Sequence, residues 1–296
     1  MATIIDDLKA RYKNGDLLMK LIFINAAVFV LLGVFRIVSH LFKLGDLDLS
    51  LYLSVPSSPE ALLVSPWTIL TYMFVHVGIW HILFNMLVFY WFGRLFLMYF
   101  SERNLMGLYI LGGICGALVY ILAFQFIPVY AGRASLLMGA SAAVMAIVFG
   151  ISFYQPNEKV NMLFVGQIKI VYIAIAMFII DFISLDDMAN PGGHLAHIGG
   201  AAIGLLFAVR MKNGKDITAW INRIGDFFVN LFSSLKFPRK NPMKVTYKRT
   251  ETDYDYNQKK HNQEAEIDKI LDKLKRSGYS SLSSDEKKKL FDASKK

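Results

Sequence analysis

Apolar residues in this chain come in runs near twenty residues long, broken by short polar stretches. Runs of that length match the width of a bilayer's hydrocarbon core. Six spans follow: Leu17–Val38, Ile69–Leu97, Leu105–Ile127, Leu136–Tyr154, Met162–Leu185 and Gly193–Met211. The segment from His40 to Pro66 carries Pro56, Pro59 and Pro66 with scattered Leu and Tyr, so it is expected to pack on the membrane surface. The predicted fold class is all-α, a polytopic bundle of six transmembrane helices occupying residues 1–211.

After the sixth span the pattern changes. Ile217, Trp220, Ile221, Ile224, Phe227, Phe228, Leu231, Phe232 and Leu235 recur at helical spacing with polar residues between them. That predicts an amphipathic interfacial helix over 212–235. A seventh span is the alternative, and Arg223, Asp226 and Asn230 oppose it. Residues 236–262 are polar and basic and read as a disordered linker. Ile267, Ile270, Leu271 and Leu274 then repeat at helical spacing, Gly278 ends that helix, and Ser283 with Glu286 forms a capping box for a second one. Residues 263–296 thus read as a small cytoplasmic helical hairpin. It is too small for a core of its own and is expected to dock on a cytoplasmic partner.

Composition supports this division. Of 296 residues, 55% are hydrophobic, more than a soluble domain of this length normally carries. Residues 1–210 hold 12 Lys/Arg against 11 Asp/Glu, whereas residues 211–296 hold 20 against 12, so most of the formal +9 lies in the tail. Cys115 is the only cysteine, which rules out an internal disulfide. Asp6 and Asp7, a long apolar run and no small-residue cleavage site make the first span an uncleaved helix rather than a signal peptide.

Basic flanks set the orientation. Lys9, Arg11, Lys13 and Lys20 precede the first span, Arg94 and Arg103 lie between the second and third, Lys159 and Lys169 between the fourth and fifth, and Arg210, Lys212 and Lys215 follow the sixth. The other side has Lys43 and Arg133, with Arg36 near a span end. Both termini are expected in the cytoplasm, with Ser141 near the extracytoplasmic face.

Polar side chains inside spans are costly and usually functional. Gly139-Ala140-Ser141 opens the fourth span. A helix start offers free N–H groups and a positive dipole to developing negative charge, and Gly139 permits close backbone approach. A small serine at a helix contact is the competing explanation. In the sixth span, His197 is followed by Gly200 and Gly204 at i+3 and i+7, one smooth helix face with an imidazole at its end. The fourth span carries a matching stripe at Ala142, Ala146 and Gly150. Packing the two faces would bring Ser141 and His197 together as nucleophile and base. An interior hydrogen bond is the alternative role for His197. In the second span His81 and Asn85 share a face, and His76 lies off it. These two could donate to an oxyanion or simply bond between helices. A metal reading is weighed as well. His194 and His197 are three apart and His81 is a third candidate, but there is no His-Glu-x-x-His signature and no cysteine cluster, and Asp181 sits too near a span end to read as a ligand. No metal and no cofactor are expected.

Together these residues resemble the rhomboid family of intramembrane serine proteases, over about Trp67 to Arg210. The resemblance rests on His76-Val77-Gly78-Ile79-Trp80-His81-Ile82-Leu83-Phe84-Asn85, Gly139-Ala140-Ser141, and Ala196-His197-Ile198-Gly199-Gly200 continuing to Gly204. It implies a Ser–His dyad without an acidic third member: Ser141 as nucleophile, His197 as general base. Asn85 and His81, with the Ser141 backbone N–H, would line an oxyanion hole, and His76, Gly139, Gly200 and Gly204 would be structural. Ala142 stands where the family usually has glycine, Met145 where it often has an aromatic residue, and Trp67-Thr68 where it has a Trp-Arg pair. The stretch Ile267 to Ser294 resembles a short module found on some bacterial rhomboids. The implied substrates are transmembrane segments of other proteins, cleaved near the extracytoplasmic face of a bacterial plasma membrane. No nucleic-acid partner is expected. The competing functions are an inert rhomboid-like binder of membrane helices and a channel or transporter, the latter without any apparent inverted repeat.

Overall fold

The computed structural model describes residues 12, 15–44, 48–162, 166–186, 190–234 and 253–293. The chain divides into two compact units, Met1–Phe237 and Pro238–Lys296. The first is a helical membrane bundle: α1 (Leu17–Leu41), α2 (Ile79–Tyr99), α3 (Glu102–Phe126), α4 (Ser141–Tyr154), α5 (Ile170–Ile183), α6 (Pro191–Lys212) and α7 (Ala219–Ser234). Among the described residues, α1, α2, α3 and α6 are long and apolar enough to cross a bilayer. Helix α4 has 14 residues, about 21 Å at 1.5 Å per residue, which is short of the ~30 Å hydrocarbon slab. Its length is explained by its position. Every residue from Ala142 to Ser152 is buried by neighbouring helices.

Apolar side chains gain little by leaving lipid for one another, so small residues that let backbones approach decide which helices pair. That rule selects the core. An added Cβ on Gly200 would lie 2.1 Å from Ala142 O, and one on Gly204 would lie 2.3 Å from Ala146 O. On α3, Gly112 and Gly116 face the Cβ atoms of Ala146 and Ala142, each at 2.5 Å, and Gly199 of α6 faces Cys115 O at 2.7 Å. The expected stripe pairing between the fourth and sixth spans is therefore present, with α3 completing the packed trio. Gly150 points elsewhere, toward Leu108 and Phe207. Val30, Leu31, Val34 and Ile37 on α1, and Ile179, Ile180, Phe182 and Ile183 on α5, remain exposed as lipid-facing surface.

The apolar runs predict helix where the chain breaks it in three places. The run from Ile69 contains a short helix, Thr68–Thr71, a single 3-10 turn, Tyr72–Phe74, and a non-helical stretch before α2 begins at Ile79. Side-chain partners elsewhere hold this irregular backbone: Thr71 Oγ1 donates to Leu53 O at 2.8 Å and Tyr72 OH to Gly113 O at 2.7 Å. Before α4, β2 (Leu136–Leu137) pairs antiparallel with β1 (Val55–Pro56) of the first loop. Before α5, β3 (Lys159–Met162) and β4 (Gly166–Lys169) form a hairpin, with Gly166 in the left-handed region at φ 82°. Short two-stranded ladders of this kind satisfy backbone groups that a helix would otherwise satisfy internally.

The first loop is tied down from both sides. Trp67 Nε1 donates to Tyr52 O at 2.9 Å, so the tryptophan anchors the loop without the arginine that follows it in the family pattern. Ser57 N donates to Ser135 O at 3.0 Å, and Ser57 Oγ accepts from Ser135 N at 3.1 Å. On the opposite side, Arg94 pairs with Asp16 and Arg103 with Asp226 of α7. Helix α7 leaves Trp220, Ile224, Phe227, Phe228 and Val229 exposed on an amphipathic surface. Lys9, Arg11, Lys13 and Leu235 lie outside the described residues.

In the second unit, α8 (Asp253–Ser277) and α9 (Ser284–Ala293) form a hairpin. Residues 236–252 of the expected linker lie outside the described residues, and 253–262 belong to α8. No apolar repeat marks that stretch, but residues such as Lys260, Gln263 and Glu264 are good helix formers that extend the helix backward. The expected capping box is formed, with Ser283 N donating to Glu286 Oε2 at 2.7 Å and Glu286 N to Ser283 Oγ at 3.3 Å.

Candidate active site

Ser141 is the first residue of α4 and is half-buried. The turn before it depends on Gly139, whose φ of 127° disfavours any L side chain. Space imposes the same choice. A Cβ at 139 would meet the His81 imidazole at 2.9 Å and lie 3.6 Å from Ser141 Oγ. His81 and Ser141 thus border the same point. The turn is held by the irregular segment ahead of α2: Gly139 N donates to Tyr72 O at 3.0 Å, and Ala140 N to His76 Nε2 at 3.5 Å. His76 is buried and stacks edge-on against His81 with ring centroids 5.1 Å apart. Its ring thus lies against the turn.

Register places His197. Gly200 meets Ala142 and Gly204 meets Ala146, equal steps along both helices, so α4 and α6 run parallel. His197, three residues before Gly200, therefore lies level with the Gly139–Ser141 turn, and it is within electrostatic reach of His81. The helix that carries it starts with Asn190, whose Oδ1 accepts from Gly193 N at 3.2 Å, followed by Pro191 at the first helical position. Asn85 is buried one turn beyond His81, and its Nδ2 donates to His81 O at 2.8 Å. One of its two amide hydrogens is thus spent inside its own helix.

Sequence reasoning passed over one residue. Asp181 near the end of α5 is only 8% exposed, and its Oδ1 receives both His197 Nδ1 at 2.7 Å and His194 Nδ1 at 2.8 Å. A carboxylate only accepts hydrogen bonds, so each imidazole meets it with an Nδ1–H. The two rings stand nearly perpendicular with centroids 6.0 Å apart. The sequence reading set Asp181 aside as a metal ligand because it lies near a span end and gave it no other role; the structure gives it two imidazole partners. The signal was available: Asp181 is the only charged residue in α5, and a lone carboxylate in an apolar run needs a partner.

The arrangement groups a hydroxyl at a helix start, an imidazole at its level, and further donors around them. The sequence profile of the Rhomboid domain matches residues 64–213, about half of the chain and all of α2 to α6. This chain is a member of the rhomboid family. The rhomboid domain is an integral membrane bundle whose matched region begins just before Trp67 and ends one residue after α6. A second profile, that of a family of unknown function (DUF6576), matches residues 250–296, the hairpin-bearing tail. The chain is also similar to a curated plant protein, "RHOMBOID-like protein 12, mitochondrial" of Arabidopsis thaliana. It is 25% identical over 212 residues, which cover 68% of this chain and 60% of that protein. The chain thus matches well under two thirds of that relative's length.

Proposed function

We propose that this rhomboid is a serine endopeptidase that cleaves transmembrane segments of other proteins near the extracytoplasmic face. The observation that carries the reading is the shared point at Gly139, where the His81 ring and Ser141 Oγ converge. His197 lies at the same level on the adjoining helix. In this reading Ser141 Oγ attacks the scissile carbonyl while His197 Nε2 takes its proton. The C–N bond then breaks as His197 returns that proton to the leaving amine. The Ser141 N–H has no intrahelical partner, being at a helix start, and would donate to the oxyanion together with His81 and the free amide hydrogen of Asn85. Water then hydrolyses the acyl-enzyme with His197 as base. A substrate helix that unwinds easily exposes its peptide bonds, so small, helix-breaking residues would favour cleavage.

The proposed setting is a bacterial plasma membrane with both termini cytoplasmic. Lys20, Arg94, Arg103, Lys159, Lys169 and Arg210 lie at one side of the alternating helices, which supports that orientation. The hairpin tail would engage a cytoplasmic partner. A second reading is an inert helix-binding relative. A fluorophosphonate probe decides between them. Wild-type membranes should label, and Ser141→Ala and His197→Ala should not. Labelling that survives Ser141→Ala would remove the proposed nucleophile, and unlabelled wild type beside a labelled control protease would favour the inert reading.

A further inference from the structure

A further cluster of titratable side chains lies against the proposed base within the membrane bundle. It joins Asp181 at the end of α5 to His194 and His197 in the first two turns of α6. We propose that Asp181 is the positioning residue for His197, converting the expected Ser–His pair into an acid–base–nucleophile relay, with His194 as the second donor that fixes the carboxylate. This rests on the protease reading above.

The role of His197 depends first on which of its nitrogens carries hydrogen. A general base for Ser141 needs a lone pair on the nitrogen facing the hydroxyl and hydrogen on the other one. Neutral imidazole left to itself holds hydrogen on either nitrogen. At 2.7 Å from Asp181 Oδ1, His197 Nδ1 is held as the N–H, and Nε2 is left as the acceptor. The hydrogen bond also fixes the ring's rotation. When Nε2 takes the serine proton, the ring becomes a cation beside a carboxylate that is already ionised. No proton moves to Asp181, which stabilises the imidazolium by charge alone.

His194 gives the carboxylate a reason to stay put. Asp181 is charged or hydrogen-bonded at a depth where an unpaired carboxylate is costly. A single histidine partner would leave the group free to swing when His197 turns over. The second N–H, at 2.8 Å on the same oxygen, holds Oδ1 in place from one turn earlier in α6. The His194 side chain is 19% exposed and that of His197 20%, whereas that of Asp181, which they both bond, is 11% exposed. The same three donors lie within 4.8 Å of one another, a spacing that a divalent cation would also accept. The experiment therefore separates a hydrogen-bonded relay from a metal centre.

The full chain is purified in detergent with nitrogen-15 histidine. Two quantities are read for wild type, Asp181→Asn, Asp181→Glu and His194→Ala: the rate of Ser141 labelling by the fluorophosphonate, and the ring-nitrogen spectrum of His197, assigned with His197→Gln. Asparagine keeps the size of aspartate but turns an N–H toward Nδ1, which favours the wrong tautomer. Asp181→Asn should slow labelling by about 100- to 10,000-fold and move the His197 hydrogen from Nδ1 to Nε2. Asp181→Glu should recover a large part of the rate and the wild-type tautomer. His194→Ala should cost about tenfold or less, and Asp181→Asn with His194→Ala should be no slower than Asp181→Asn alone. EDTA should leave both wild-type readouts unchanged. A rate within about threefold of wild type for Asp181→Asn, or a wild-type His197 with hydrogen on Nε2, would overturn the proposal. So would loss of the wild-type rate or spectrum on chelation with recovery on adding zinc, which would make the cluster a metal site. If no form labels, the protease reading falls, and the His197 tautomer in wild type and Asp181→Asn still decides whether Asp181 sets it.

Discussion

The carbonyl oxygen of Ala142 occupies the place where a side chain on Gly200 would have to begin, 2.1 Å from the position of its Cβ. That oxygen belongs to the backbone of the first turn of a buried helix and cannot rotate away. Gly200→Ala must therefore push α6 off α4 and, with it, His197 away from the Ser141 turn. The expected cost is about 1–3 kcal/mol or more, with Ser141 labelling lost first. Gly33, with open space around it, is the control: Gly33→Ala should keep both stability and labelling. Thermal unfolding in detergent read beside probe labelling checks the pair. Equal effects of the two substitutions would contradict the register described for α4 and α6.

Gly139 combines a left-handed backbone with a filled neighbourhood. Gly139→Ala should strain the turn by about 1–2 kcal/mol and displace the His81 ring, whose atoms lie 2.9 Å from the new Cβ. Reactivity should fall far more than stability does. Comparing the labelling rate with the unfolding midpoint tests this, since a loss of stability alone would lower both together.

Beside its backbone ladder, the first loop is bound to the segment before Ser141 by the Ser57 side chain. Ser57 Oγ donates to Arg133 O at 3.2 Å and accepts from Ser135 N at 3.1 Å. Ser57→Ala leaves the Ser135 N–H unpaired by that oxygen, at a cost of about 1–2 kcal/mol. Deuterium uptake should rise across residues 133–138 and stay unchanged in the β3–β4 hairpin. Uptake that is unchanged at 133–138 would show that the backbone ladder alone holds the loop.

The tail hairpin should be acid-sensitive. The Ser283 backbone N–H, followed by Lys273 Nζ at 2.9 Å, holds the Glu286 carboxyl below its ordinary value. A depressed carboxyl contributes stability that is present above its unfolded value of about 4.5 and is lost as pH falls through the lower folded value. Deuterium uptake in α9, corrected for intrinsic rate, should therefore rise below that range. Glu286→Gln should raise it at neutral pH and remove most of the change on acidification.

Sequence pattern carried the membrane bundle a long way. Length and hydropathy located all six apolar segments, and the spacing of Gly200, Gly204, Ala142 and Ala146 selected the helix pair that packs most closely. The same pattern was blind to the breaks at 72–78 and 136–140. Hydropathy registers whether a residue tolerates an apolar setting, not whether its backbone finds partners far along the chain, as Tyr72 O does in Gly139 N and Leu136 does in Pro56. Asp181 was missed for a related reason. It sits near the end of its run, and only the fold shows that the start of α6 returns two imidazoles to it. The hairpin's first turns were missed because helix without an apolar stripe looks like any other polar stretch.

Helix α4 is ensheathed by protein for nearly its whole length, so the surrounding lipid has no grip on it. Its vertical position is set by two glycine notches in α6, as a shelf is set by the pegs beneath it. Swelling or thinning of the bilayer would act on the outer helices, while the serine's shelf height relative to the imidazole would not change.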